Sequence, residues 1–239
     1  MKIALIGYGK MGQAIEEVAL QRGHTIVARV NSNNPLAAND LSLADVAIEF
    51  TRPELAPVHI RHCADIKLPV VVGTTAWHED LQGISDYVNT NEATLLHATN
   101  FSIGVNILFA VNKKLAQLMS DHAEYEASIE EVHHIQKLDA PSGTAITLAE
   151  GIIGQHEKYN AWNLHEDGKS AAENVVDISA VRLPDVPGTH HVRYQSTIDT
   201  ITLSHEAHTR KGFALGSVVA AEWIYGKKGV FTMNDVLSL

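Results

Sequence analysis

The chain has 239 residues, of which 45% are hydrophobic, and a formal net charge of −10 at pH 7. That length can bury one large core or form two domains of roughly 100–130 residues each. The acidic balance argues against a nucleic-acid binder or a membrane-surface protein, because both use basic patches.

The N-terminal segment has the pattern of a dinucleotide-binding fold. An apolar run at residues 2–6 predicts a buried strand, residues 13–22 predict an amphipathic helix, and residues 25–30 predict a second strand. A tight turn that binds nothing is one interpretation of the glycines between strand and helix. The G-x-G-x-x-G order in this context favours cofactor binding by Gly7, Tyr8, Gly9, Lys10, Met11 and Gly12.

The end of the second strand bears on the choice of cofactor. NAD sites usually carry an acidic residue there, which binds the ribose hydroxyls. This chain has Asn31 instead, which we predict as a cofactor contact. Lys10 and Arg29 either attract a 2′-phosphate or are ordinary surface charges. We therefore expect NADPH to be accepted, and NADH as well.

Three further strands are predicted at residues 46–50, 69–73 and 94–98, with helices at residues 54–64 and 79–89. Alternating strands and helices indicate a doubly wound parallel sheet, in which ligands bind beyond the carboxyl ends of the strands. The residues at those ends are either plain turns or the rim of the cofactor site. We predict the rim, formed by Phe50, Thr51, Gly73, Thr74, Thr75, Thr99, Asn100 and Phe101.

The single cysteine, Cys63, excludes a disulfide within the chain and is expected to be inert in a helix core. No signal peptide precedes the first strand, and no apolar run reaches membrane-spanning length. A cytoplasmic protein is therefore expected.

Beyond Asn100 the pattern changes to that of an α+β domain. A helix is predicted at residues 105–119 and a loop at residues 154–172. Alternating segments predict a mixed sheet with one uncovered face, which favours oligomerisation. Its strands are residues 126–133, 176–181, 191–196 and 200–208.

A last helix at residues 214–225 and a short tail at residues 230–239 are expected to return to the first domain. The predicted fold class is α/β, with an N-terminal Rossmann-like doubly wound parallel sheet and a C-terminal α+β domain with a mixed open sheet. Residues 1–101 and 212–239 are expected to bind the dinucleotide. Residues 102–211 are expected to bind substrate and to form the oligomer.

Residues 133–145 bring together groups that suit a small acidic substrate. His133 and His134 can exchange protons near neutral pH, and Lys137 adds a positive charge. A surface histidine pair and an ordinary helix start are the plain interpretations, but their adjacency favours an anion site beside a proton donor. The anion would meet hydroxyls and backbone N–H groups at a helix start formed by Ser142, Gly143 and Thr144.

A second basic cluster follows the last predicted strand. His205 and His208 have a spacing used by metal ligands, but no third ligand is evident and no metal is expected. Arg210 is either a surface cation or a charge at the domain junction that faces substrate or cofactor. We predict that it binds substrate.

These residues together resemble one family, the 4-hydroxy-tetrahydrodipicolinate (dihydrodipicolinate) reductases of bacterial lysine and diaminopimelate biosynthesis. The resemblance covers essentially the whole chain. Its most specific part is Glu131-Val132-His133-His134-Ile135-Gln136-Lys137-Leu138-Asp139-Ala140-Pro141-Ser142-Gly143-Thr144-Ala145, which is similar to the family's E-x-H-H-x-x-K-x-D-A-P-S-G-T-A. Gly73-Thr74-Thr75, Asn100-Phe101-Ser102-x-Gly104-x-Asn106 and His205-x-Ala207-x-x-Arg210-x-x-Phe213 also resemble family motifs.

The resemblance implies an NAD(P)H-dependent oxidoreductase that acts on a small dicarboxylate. Hydride goes to a conjugated cyclic imine, and the resulting enamine is then protonated. His133 matches the family's general acid, and Lys137 matches the residue that stabilises developing charge. The positions that match substrate binding are His134, Lys137, Ser142, Gly143 and Thr144. A homotetramer built through the C-terminal sheet is also implied.

The chain departs from the family at three places. Lys10 replaces an arginine in the glycine loop, and Asn31 stands where an acidic residue often ends the second strand. Residues 182–190 replace a more glycine-rich loop, and the sequence suggests no function for that change. Two other functions stay open, namely a dehydrogenase for another imino acid and a nucleotide-sensing protein without catalysis.

Overall fold

The computed structural model of the chain describes residues 1–166, 172–209 and 211–239. It divides into two compact units, one made of Met1–Ile103 with Lys211–Leu239 and the other of Gly104–Arg210. Up to residue 133 the helices and strands are β1 (Lys2–Ile6), α1 (Lys10–Gln21), β2 (Thr25–Val30), β3 (Val46–Glu49), α2 (Ala56–Asp65), β4 (Val70–Val72), α3 (Leu81–Thr90), β5 (Thr94–His97), α4 (Ile103–Met119) and β6 (Glu126–His133). The later ones are α5 (Gly143–Ile153), β7 (Ala161–Leu164), β8 (Val175–Arg182), β9 (Thr189–Gln195), β10 (Thr200–Glu206), α6 (Lys211–Ile224), β11 (Gly229–Phe231) and α7 (Met233–Leu237).

The first unit is a parallel sheet of six strands in the order β11-β5-β4-β3-β1-β2, with helices on both faces. Strand β1 shows why helices cover both faces, because its residues point alternately into two apolar cores. Ile3 and Leu5 pack with α1 and α6, whereas Ala4 and Ile6 pack with α2 and α3. The predicted doubly wound fold is confirmed, and the C-terminal tail supplies its edge strand β11.

Cys63 is fully buried in the core under α2, as expected. Burial, with a smaller contribution from the charge of Glu49, raises the pKa of its thiol to about 12. The thiol is therefore protonated and unreactive at neutral pH. Within the described ranges, no helix is both long enough and apolar enough to cross a membrane.

The second unit contains a mixed sheet of five strands in the order β10-β9-β6-β8-β7. Strand β6 runs parallel to β8 and antiparallel to β9, so the predicted mixed sheet is confirmed. Its core lies between one face of the sheet and helices α4 and α5. Leu148 and Ile152 of α5 pack there against Ile129, Ile178 and Val192.

One expectation about this unit is wrong. Residues 161–164 form edge strand β7 inside the segment predicted as a loop, because a four-residue strand is too short for a clear periodic signal. Residues 167–171 of that segment lie outside the described part of the chain. On the open face of the sheet, the residues of β6 that alternate with its buried ones include Ser128 and Glu130, the latter paired with Arg193 at 3.2 Å.

Candidate functional site

The glycine loop has the close packing that a dinucleotide fingerprint requires. Gly7 has a φ of +101°, and a Cβ there would lie 2.0 Å from the carbonyl oxygen of Phe50. A Cβ on Gly12 would lie 2.2 Å from the carbonyl oxygen of Gly7. Around Gly9, by contrast, a Cβ would meet nothing within 4 Å. The loop therefore packs tightly on itself and on the end of β3, and it leaves the middle glycine open to a ligand.

Two cavities in the first unit adjoin this loop. The larger, of about 860 Å³, lies along the end of β2 and is lined by Gly7, Tyr8, Gly9, Asn31, Phe50 and Thr51 among others. The smaller, of about 290 Å³, is lined by Gly9, Lys10, Met11, Phe50, Thr51, Pro53, Gly73, Thr74 and Thr75. The open glycine and these cavities fit an extended dinucleotide whose phosphates lie at the start of α1. We call them the adenosine-side cavity and the rim cavity.

Four residues predicted to bind the cofactor line neither of these cavities: Gly12, Thr99, Asn100 and Phe101. Gly12 serves the turn itself. Phe101 is 2% exposed, its ring lies 5.9 Å from that of Phe50, and a Cβ on Gly216 would lie 1.7 Å from its carbonyl oxygen. Its side chain therefore packs in the core beneath the rim.

The charges near the adenosine-side cavity differ from those that the sequence suggested. Arg29 forms two hydrogen bonds to the carboxylate of Glu16, which also accepts one from the hydroxyl of Tyr8. The guanidinium charge of Arg29 is therefore already compensated. Arg52, 70% exposed at its side chain and 3.3 Å from Glu54, lines this cavity, and no acidic residue is among the described residues that line it.

A buried polar network beneath Thr51 was missed by the sequence analysis. The Thr51 hydroxyl donates to Glu49 Oε1, and Nδ1 of the buried His59 lies 3.3 Å from the same oxygen. The Thr51 backbone N–H donates to the hydroxyl of Thr74 at 2.7 Å. The network fixes two of the predicted rim residues. An acidic residue at the end of an otherwise apolar strand was the available signal.

In the second unit, α5 starts at the residues where the sequence predicts a helix start. Ser142 is the N-cap, and its hydroxyl accepts from the N–H of Ala145 at 3.2 Å. Gly143 is exposed, and a Cβ there would meet nothing within 4 Å. Thr144 follows in the first turn. The helix start is thus capped and open on the side of Gly143, where a carboxylate can approach.

Strand register brings a group of titratable residues to the neighbourhood of this helix start. On β6, Glu131 and His133 point to the same face, since they are two residues apart. Across the sheet, His190 of β9 is the direct partner of Glu131, and Arg182 of β8 is the partner of His133. The rings of His133 and His190 lie 5.2 Å apart.

Glu131 is the centre of this group, and its carboxylate is fully buried. Oε1 accepts from the Ser142 N–H at 3.1 Å and from Arg182 Nη2 at 3.2 Å. Oε2 lies 3.1 Å from His133 Nδ1, an ion-pair distance, but the two atoms are not aligned as in a hydrogen bond. Burial alone would raise the pKa of Glu131, but these three partners outweigh it and bring the pKa to about 2. Burial, reinforced by the charge of His133, lowers the pKa of His190 to about 3.

The predicted lysine lies in the loop between β6 and α5. Lys137 Nζ donates to both carboxylate oxygens of Asp139, at 2.8 and 2.7 Å. Arg182 donates to the backbone oxygen of Asp139 at 2.7 Å and to that of Lys137 at 3.4 Å. The half-buried His134 accepts the Lys137 N–H at its backbone oxygen, at 3.0 Å.

Sequence reasoning missed Glu131, Arg182 and His190 as members of this site. Glu131 and His133 share a strand face, and that spacing was an available signal. The other two depend on a strand register that composition does not encode. Gly188 was missed as well; a Cβ there would lie 3.0 Å from His133 Nε2.

Within the described ranges, Glu131, His133 and His190 place one possible metal-ligand atom each within 4.8 Å of the others. The guanidinium of Arg182 beside the same carboxylate opposes a second cation there. His205 is half-buried, and burial lowers its pKa. Arg210, the remaining predicted substrate contact, lies outside the described residues.

Comparison with known proteins covers the whole chain. Residues 1–101 match the family described as "Dihydrodipicolinate reductase, N-terminus", and residues 104–237 match "Dihydrodipicolinate reductase, C-terminus". A 4-hydroxy-tetrahydrodipicolinate reductase of Christiangramia forsetii is 47% identical over 241 residues, which cover 100% of this chain and 98% of that protein. One from Buchnera aphidicola is 32% identical over 272 residues, with the same coverage.

Among solved structures, this chain is similar to a dipicolinate-bound dihydrodipicolinate reductase from Paenisporosarcina sp. TG-14. The TM-score is 0.74, the sequence identity is 24%, and 97% of each chain is covered. That structure supports the fold, and the two sequence comparisons extend over both units. The chain belongs to the dihydrodipicolinate reductase family.

Proposed function

We propose that this protein is an NAD(P)H-dependent 4-hydroxy-tetrahydrodipicolinate reductase, which forms tetrahydrodipicolinate in lysine and diaminopimelate biosynthesis. The observation that carries the proposal is the group around β6 and α5. It combines a histidine held by a buried carboxylate, a lysine and an N-capped helix start within one connection. A proton donor, a cation and an anion-binding turn are what reduction of a dicarboxylate imine requires.

Each side chain has a role that follows from its chemistry. Ser142, Gly143 and Thr144 bind one substrate carboxylate at the positive end of α5. Lys137 contacts the substrate in place of Asp139 and stabilises the charge that develops on the substrate. His133 gives a proton to the enamine that is left after hydride addition. His134 and Arg210 complete the set of proposed substrate contacts.

A nicotinamide cofactor supplies the hydride when it is bound. The first unit would hold it through the glycine loop and the two cavities, with Thr51 and Thr74 fixed beneath it. We propose that both NADPH and NADH are used. Position 31 is an asparagine, and no acidic residue is among the described residues that line the adenosine-side cavity. This supports the proposal, since an acidic side chain there would repel a 2′-phosphate.

The proposal extends to assembly and location. The first unit binds the dinucleotide, and the second binds the dicarboxylate and contributes its sheet to a homotetramer, as the family resemblance implies. The enzyme is proposed to work in the cytoplasm, in keeping with the biosynthetic role of the family.

A coupled assay tests the reaction. The upstream synthase condenses pyruvate with aspartate semialdehyde, and oxidation of NADPH or NADH is followed by absorbance after this protein is added. Oxidation that depends on the condensation product supports the reductase, and the two rates give the cofactor preference. If a cofactor binds but neither NADPH nor NADH is oxidised, the reductase is rejected in favour of the imino-acid dehydrogenase or the nucleotide sensor.

A further inference from the structure

The buried carboxylate of Glu131 has no part in the roles given above. Burying a carboxylate is costly unless hydrogen bonds and charges compensate it, and here three groups do so. We propose that Glu131 is the positioning residue of the proton donor: its buried carboxylate faces Nδ1 of His133 at ion-pair distance, so that the proton is delivered from Nε2. The inference rests on the proposed function, because it concerns how His133 works.

The geometry distinguishes the two nitrogens of His133. Nδ1 lies 3.1 Å from Glu131 Oε2. Nε2 is the atom that a Cβ on Gly188 would approach to 3.0 Å. A side chain at residue 188 would therefore crowd Nε2, and glycine avoids that contact. Because the carboxylate of Glu131 faces Nδ1, we assign Nε2 as the nitrogen that meets the substrate.

The charge of Glu131 favours this tautomer at both stages of proton transfer. A carboxylate at Nδ1 stabilises the imidazolium before the transfer and the neutral ring with a proton on Nδ1 afterwards. His133, the Ser142 N–H and Arg182 Nη2, in that order, favour the ionised form of that carboxylate. The pKa of Glu131, held at about 2 against the effect of burial, agrees with an ionised group throughout the neutral range.

The same carboxylate links the other parts of the site. Its Oε1 accepts the N–H of Ser142, which caps the anion-binding helix start. Arg182, its counter-ion, holds the backbone oxygens of Lys137 and Asp139. The proton donor, the helix start and the lysine loop are thus positioned around one buried group.

The other titratable groups near His133 do not replace Glu131. His190 on β9 is uncharged at neutral pH, because burial lowers its pKa to about 3. Lys137 is paired with Asp139 in the loop. Beyond His190 in the register lies His205 of β10, whose pKa is also lowered by burial. Glu131 and its partner Arg182 are the charges that act on His133 from the sheet.

The test is E131Q, which keeps the shape of the side chain and removes its charge. We expect kcat to fall about 10- to 100-fold while KM for the cofactor is unchanged. E131D keeps the charge on a side chain shorter by one methylene, and it should recover part of the lost kcat. The control is E124Q, at an exposed glutamate of the same unit, which should behave as wild type.

A wild-type kcat in E131Q would overturn the inference while the reductase function stands. No reduction by the wild-type enzyme would instead refute the function itself. If neither Glu131 variant folds, nitrogen-15 NMR of histidine-labelled wild-type enzyme decides, with H133N for assignment. A neutral His133 protonated on Nδ1 supports the inference, and one protonated on Nε2 contradicts it.

Discussion

Lys137 and Asp139 form an ion pair in which Nζ contacts both carboxylate oxygens, at 2.8 and 2.7 Å. The side chain of Asp139 is 60% exposed, whereas that of Lys137 is 21% exposed. The charge proposed to meet the substrate is therefore compensated by a solvent-exposed neighbour. If Lys137 binds the substrate as proposed, the dicarboxylate competes with Asp139 for its charge.

Replacing Asp139 by asparagine should therefore improve substrate binding. An exposed ion pair contributes only about 0.2–1 kcal/mol, so KM for the condensation product should fall by up to about fivefold with kcat unchanged. Steady-state kinetics at saturating NADPH measure this, with D121N as a control for loss of an exposed negative charge. A higher KM would mean that Asp139 positions Lys137 rather than competing with substrate.

Replacing His133 by asparagine should remove the proton donor and leave cofactor binding intact, because the two cavities are lined by residues of the first unit. We expect kcat to fall about 100-fold or more, the usual contribution of general acid catalysis. NADPH affinity, measured by its fluorescence, should match wild type. H122N, at an exposed histidine of the same unit, is the control. Full activity in H133N would refute the assigned role.

Much of this architecture is readable from the sequence, for identifiable reasons. The glycine loop and α5 are local features, since a few neighbouring residues determine each of them. Strand β7 is a non-local feature, because its four residues become a strand only through pairing with β8. Arg182 and His190 also depend on register, which brings them beside His133 and Glu131 from other strands.

The uncovered face of the mixed sheet shows the same limit. Alternation correctly identified the strands around Glu130, but which set of side chains faces the helices depends on tertiary packing. The contact of Arg29 is non-local in the same way. The sequence left two interpretations of this residue open, and it did not indicate that Glu16 of α1 binds the guanidinium.

Cofactor preference should depend on Arg52, which lines the adenosine-side cavity together with Asn31. R52Q should raise KM for NADPH severalfold and leave KM for NADH nearly unchanged, because only NADPH carries a 2′-phosphate near the end of β2. R29Q is the matched comparison and should have the smaller effect, since Glu16 already binds that guanidinium. Equal losses with both cofactors in R52Q would exclude a contact to the 2′-phosphate.

His190 should make the protein sensitive to acid. Its pKa is lowered from 6.5 to about 3 in the folded state, chiefly by burial. Below about pH 6.5 His190 is protonated in the unfolded chain, whereas in the folded chain it stays neutral down to about pH 3. The free energy of unfolding therefore decreases as the pH falls through that interval. H190N should lose less of its Tm between neutral pH and about pH 5 than wild type. The control is H122N, at an exposed histidine. If Tm falls with pH in H190N as steeply as in wild type and in H122N, this assignment is contradicted.

The most direct test of the account is transfer of deuterium from cofactor to product. Wild-type enzyme is given the freshly formed condensation product with NADPH deuterated at the transferred position of the nicotinamide. The product is then analysed by mass spectrometry. We expect tetrahydrodipicolinate that contains one deuterium, compared with none in the product formed from unlabelled NADPH. Oxidation of the cofactor with no deuterium in that product would contradict hydride transfer to the cyclic imine.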